Sequence, residues 1–234
     1  HYAKSGTPTM GGLGILLAIN ILTLSFVRPL TNEVVILLTT TTLTGIIGFI
    51  DDFLIVKQGK NNGLKPRYKL LGQFLIAAVF CTYLLSNGFN GQVSPFLHLI
   101  GMQNPLLYVV LSSFIIIGTS NAVNLTDGLD GLAGGVSAIV FVAFAFIANQ
   151  FNNPPLALAA VLASLACVGF LVFNYNPAKM FMGDVGSLAL GTLIAGFALL
   201  LHAELYLLLV GMVFVLETLS VILQVGYFKA TKGK

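Results

Sequence analysis

The residues of this sequence that could do chemistry are five aspartates, a group of amides and a few lysines. Asp51 and Asp52 follow the apolar run that ends in Gly48-Phe49-Ile50, where hydrocarbon gives way to head groups. Adjacent residues of a helix diverge by about 100°, so the two carboxylates cannot perform the same task. Carboxylates near a helix C-terminus also oppose its dipole, which argues against a merely solvated helix end. Asn121, Asn124, Asp127 and Asp130 recur at a spacing of three, and Gly128 and Gly131 are predicted to break the helix there into a loop. Amides and carboxylates would then line one concave surface, although capping of a turn is the simpler use of such residues. Phe181-Met182-Gly183-Asp184-Val185-Gly186-Ser187 leads into a further apolar run. The first amides and the dipole of a helix starting there favour an anion, and the glycines admit a ligand close to the backbone. Capping by Asp184 or Ser187 is the alternative. The segment from Lys4 to Gly12 supplies a cation, hydroxyls and a glycine-lined helix start, a phosphate-friendly pattern that is not a Walker loop.

Carboxylates converging with lysines and helix N-termini suit a divalent cation that holds a diphosphate. Hard oxygen ligands bind Mg²⁺, and the metal neutralises phosphate oxygens. At the depth where a membrane begins, such a site invites reaction between a water-soluble donor and a lipid phosphate.

The elements that must position these groups follow from composition. The 234 residues are 57% hydrophobic and 8% charged, with a mean hydropathy of +0.96, against about 25% charged residues in soluble domains. A water-soluble globule is excluded. Apolar runs long enough to cross a hydrocarbon core predict eight helical spans, at about 11–27, 34–50, 70–86, 105–123, 132–149, 155–173, 187–203 and 205–227. The expected fold is an all-α polytopic transmembrane bundle, one domain over residues 1–234. With the segment before the first span cytoplasmic, the inner side carries ten of the eleven lysines and arginines, and only Arg28 lies outside. Asp51, Asp52, Asp127, Asp130 and Asp184 then share the cytoplasmic face. Glu33 and Glu204 fall at the outer surface, and Glu217 lies inside the last span, outside the catalytic set. Lys57, Lys60, Lys65, Arg67 and Lys69 read as topology determinants or anionic-lipid contacts. The outer segment 87–104 suggests a short hairpin without chemistry. Cys81 and Cys167 sit in apolar runs as packing residues. The net charge of +3 comes with no nucleic-acid signature.

In this order the motifs resemble the polyprenyl-phosphate N-acetylhexosamine-1-phosphate transferases, and within them the phospho-N-acetylmuramoyl-pentapeptide transferase branch. The resemblance rests on Gly6 to Gly12, Gly48 to Asp52, Tyr68 to Gln73, Asn121 to Ala133, Phe173-Asn174 with Pro177-Ala178, Phe181 to Leu190, and Leu219 to Ile222 with Gln224. It implies transfer of phospho-N-acetylmuramoyl-pentapeptide from its UDP donor to undecaprenyl phosphate at the cytoplasmic face of a bacterial cell membrane. The products would be lipid I, a peptidoglycan precursor, and UMP. It further implies Mg²⁺ as cofactor and a homodimer. Asp184 matches the metal ligand, and Asp51 matches a proposed base for the lipid phosphate, with Asp52 beside it. Lys4, Thr9, Asn121, Asn124, Asp127, Asp130, Asn174 and Gln224 match polar positions around the substrates. Phe181 and Gly183 match the uridine wall. A single displacement is favoured, and attack by an aspartate through a covalent intermediate stays open. Relative to the family, a first span, a histidine-rich loop and a last span are expected beyond this chain. Two rival activities remain: an N-acetylglucosamine-1-phosphate transferase on the same lipid, and a cation-coupled secondary transporter, which would instead place acids near the bilayer midplane.

Overall fold

The structure, a computed structural model, describes residues 7–58, 63–89 and 104–231. Lys4 and most of the suggested outer hairpin lie outside the described residues. Nine helices follow one another within them: α1 Gly12–Phe26, α2 Asn32–Gln58, α3 Pro66–Ser86, α4 Pro105–Thr126, α5 Leu132–Gln150, α6 Pro154–Asn174, α7 Gly183–Leu200, α8 Glu204–Val210 and α9 Met212–Ala230. Seven of them are long and apolar enough to cross a membrane, and α1, at 15 residues, is shorter. The protein is an all-helical polytopic membrane protein.

Local sequence explains the helix starts. α3, α4 and α6 each open on proline, whose missing N–H costs nothing in a first turn. Asn104 Oδ1 accepts from the amides of Leu106 and Leu107 at 3.0 and 3.1 Å, and Asn153 Oδ1 accepts from Leu156 N at 3.2 Å. The hydroxyls of Thr40, Thr44 and Thr126 donate to carbonyls four residues back, so these three bring no unmet group into the hydrocarbon.

The centre of the bundle is α7, buried from Val185 to Leu200 against α2 and α4 and flanked by α1 and α5. Small residues permit this, as is usual where helices meet inside lipid. A Cβ on Gly12 would lie 2.2 Å from Gly186 N, one on Gly48 2.3 Å from Asp184 O, and one on Gly191 2.5 Å from Ser120 Cα. α9 buries only Phe214 and stands at the rim of the bundle.

The helices depart from the expected spans in two places that bear on function. α2 does not stop at Ile50 but continues to Gln58, so Asp51 and Asp52 lie inside a helix rather than at its C-terminus. The dipole argument for these residues therefore fails, because the last carbonyls are more than a turn beyond them. The last span is divided at Gly211 into α8 and α9. Glu204, expected at the outer surface, is instead 5% exposed, with neither carboxylate oxygen hydrogen-bonded among the described residues. Cys81 and Cys167 are buried and free, as packing residues.

Candidate active site

Two helices, α2 and α7, bring the carboxylates together. Asp51 and Asp52 come from α2 and Asp184 from the first turn of α7, and one ligand oxygen from each lies within 4.8 Å of the others. The first two are 6% and 7% exposed, so this charge is held largely away from solvent. The two neighbours have different backbone partners. Asp51 Oδ1 accepts from Leu64 N at 2.8 Å, which ties the segment after α2 back onto the site. Asp52 Oδ2 accepts from Val185 N at 3.2 Å and so sits on the start of α7.

That contact corrects one expectation. The anion at the N-terminus of α7 is the chain's own Asp52, not a ligand; Gly183, at φ +75°, leaves the room, since a Cβ there would meet Asp52 Oδ2 at 2.4 Å. The glycines before α1 are likewise used for packing. Gly11 N and Gly12 N donate to Phe181 O and Met182 O, each at 2.9 Å, and Phe181 N donates to Pro8 O at 2.8 Å. This places Thr9 beside the 181–183 segment, near enough that a Cβ on Gly183 would lie 3.1 Å from its hydroxyl oxygen.

Asp184 is gripped from two sides. Lys69 of α3 forms an ion pair with its Oδ2, and Asn124 of α4 donates to its Oδ1 at 2.7 Å and to Ser187 Oγ at 2.8 Å. Lys69 is the residue of this cluster that the sequence reading assigned to topology. A lysine near the start of a span can both pair with Asp184 and act as a topology determinant. The available signal was its spacing of four from Gln73, which puts both polar groups on one face of an otherwise apolar helix.

Of the remaining predicted residues, Asn121 donates to Gln73 Oε1 at 2.8 Å, one turn deeper than Asn124. Asp127 caps the end of α4, and Gly131, at φ +77°, turns the chain into α5, so the loop expected around Gly128 and Gly131 is present. Asp130 Oδ2 accepts from Asn176 Nδ2 at 3.2 Å and Ala178 N at 3.0 Å. Asn174, 2% exposed, accepts from Gly131 N at 3.0 Å and donates to Met180 O at 2.9 Å. Together these two side chains hold the 175–182 segment that carries Phe181 against the 127–131 loop. Gln224 is not joined to the cluster: it is exposed on α9 and donates to Ser220 of the same helix at 2.9 Å.

A divalent cation fits this donor set. Three carboxylates, each with one oxygen within 4.8 Å of the others, have among the described residues one ammonium paired with them, that of Lys69. Clustered carboxylate oxygens of this kind are hard ligands, the type that binds Mg²⁺.

Known proteins supply the deciding observation. The glycosyl transferase family 4 model matches residues 34–202, and the phospho-N-acetylmuramoyl-pentapeptide-transferase signature 1 matches residues 4–16. A phospho-N-acetylmuramoyl-pentapeptide-transferase of Shouchella clausii is 48% identical over 234 residues, 99% of this chain and 72% of the relative. The chain belongs to the phospho-N-acetylmuramoyl-pentapeptide transferase family. Its similarity to the like-named protein of Staphylococcus carnosus is 45% over 239 residues, 99% of this chain and 74% of that one. A Geobacillus kaustophilus relative of the same name is 48% identical over 239 residues, with 99% and 72% covered. Membership in this family makes the chain a transferase and an integral bacterial membrane protein.

Proposed function

We propose that this chain transfers phospho-N-acetylmuramoyl-pentapeptide from its UDP donor to undecaprenyl phosphate, with the site on the cytoplasmic side of the membrane. The observation that carries the reading is the convergence of Asp51, Asp52 and Asp184 with Lys69 and Asn124 at one end of the bundle. In the reaction a lipid phosphate oxygen bonds to the sugar-bearing phosphorus while the bond from that phosphorus to the UMP oxygen breaks, and UMP leaves with the electron pair. Phosphoryl transfer of this kind depends mainly on positioning and on offsetting charge. A Mg²⁺ ion held by Asp184 with Asp51 and Asp52 would neutralise diphosphate oxygens.

The chain's own residues do the rest. Lys69 places a positive charge at Asp184, where it offsets charge on the donor diphosphate as UMP leaves. A phosphate monoester, with a second pKa of about 6, is already largely dianionic near neutrality, so Asp51 orients the lipid phosphate more than it deprotonates it. Asp52 has one oxygen committed to the start of α7, and a single displacement needs no attack by this carboxylate. Thr9, Asn174 and Phe181 belong to the joined segments 8–12 and 174–183 and form the side that takes the nucleotide. Lys4, Asn121, Asp127, Asp130, Gly183 and Gln224 complete the proposed substrate set.

Donor selectivity tests this reading. Purified protein with undecaprenyl phosphate and Mg²⁺ should release UMP from UDP-N-acetylmuramoyl-pentapeptide and not from UDP-N-acetylglucosamine. Release from the second donor alone would move the chain to the N-acetylglucosamine-1-phosphate class, and release from neither would contradict a transferase of this kind.

A further inference from the structure

One turn beneath the carboxylates, on the membrane side, lies a second polar layer. Lys69 and Gln73 are four residues apart on α3, and Asn121 and Asn124 three apart on α4, so each pair shares a helix face. The upper members take the two oxygens of Asp184, Lys69 at Oδ2 and Asn124 at Oδ1. The lower members meet each other, Asn121 Nδ2 donating to Gln73 Oε1 at 2.8 Å. Asn121 Nδ2 also donates to Ile117 O at 2.8 Å, so its donors are used and it is fixed on its own helix. Gln73 is 2% exposed, and its Nε2 is buried with no acceptor among the described residues. A buried amide with an unmet donor is costly, and inside a membrane more so. Leucine or methionine would fill the same volume without that cost. The cost is carried where α3 and α4 each send a group to the same carboxylate.

We propose that Gln73 is a positioning residue of the transferase site, acting through Asn121 to hold α3 and α4 in the register at which Lys69 and Asn124 both reach Asp184. The inference rests on the transferase reading and extends it to a residue that touches neither substrate. A residue kept for packing would be stabilising; Gln73 is kept despite an unmet donor because the register it sets is needed for phosphoryl transfer.

The test is a set of variants of the full chain, assayed for UMP release and for thermal unfolding in detergent. Gln73→Leu should melt at or above the wild-type temperature, yet lose at least about tenfold in kcat, as expected when reacting groups are displaced by an ångström or less, with KM for the UDP donor little changed. Gln73→Asn and Asn121→Gln should each impair kcat by making the tie too short or too long. The double variant restores the combined length and should recover activity that either single change loses, a non-additivity expected only of a direct pair. A Gln73→Leu protein with wild-type kcat, a lowered melting temperature that accounts for the lost rate, or additive single changes would each overturn the proposal. Wild-type protein assayed alongside keeps the two readings apart: a silent wild type refutes the transferase assignment, while an active wild type matched by Gln73→Leu refutes the tie alone.

Discussion

At the residue scale the site is an exercise in placing negative charge where it is not solvated. Asp51 and Asp52 are nearly enclosed, and each has one oxygen anchored by a backbone amide, from Leu64 and Val185. Hydrogen bonds to a carboxylate are stronger than those between neutral groups, so these anchors fix the direction in which the other oxygens face. Among the described residues Asp184 has no such backbone anchor and is held by Lys69 and Asn124. Lys69→Met should therefore lower kcat by about 10² to 10³, the usual effect of removing a preorganised electrostatic partner. Lys69→Arg should recover only part of it, because a planar fork does not replace a compact ammonium. Initial rates of UMP release at saturating donor check this; a Lys69→Met protein within twofold of wild type would show that the ion pair serves topology alone.

At the element scale, the close approach of α2 to α7 makes the cluster possible. A Cβ at Gly48 would sit 2.3 Å from the carbonyl oxygen of Asp184 and 2.4 Å from its carbon, backbone atoms that cannot rotate away. Gly48→Ala should push the helices apart, separating Asp51 and Asp52 from Asp184, and cost about 1–3 kcal/mol as overpacked interiors do. A lowered melting temperature together with reduced UMP release is the expected result, and an unchanged melt would contradict the packing account. The sequence made the spans legible because hydropathy reports which residues can face lipid. It did not report where α2 ends, since a helix continues past the hydrocarbon for as long as its backbone stays bonded, here to Gln58. The division at Gly211 was hidden for a related reason: a glycine within an apolar run does not change the hydropathy of the segment. The aspartates were legible because acids at the end of an apolar run are conspicuous. Lys69 was not, because its partner lies 115 residues away and a basic residue at that position already fits the topology rule.

At the scale of the whole molecule, α7 acts as a central post. It is buried over nearly its whole length, it carries Asp184 at its start, and its small residues let α1, α2 and α4 approach closely. The opposite ends of the helices are tied separately, with Asn153 of the turn before α6 donating to Glu33 of α2 at 3.0 Å. The charged chemistry is thus confined to one end of a bundle whose flanks are apolar and lipid-facing. The most direct test is UMP release from UDP-N-acetylmuramoyl-pentapeptide and undecaprenyl phosphate, measured for wild type and Asp184→Ala with and without Mg²⁺. The account predicts Mg²⁺-dependent release by the wild type and none above background by the variant; release by Asp184→Ala at the wild-type rate, with the same Mg²⁺ dependence, would contradict it.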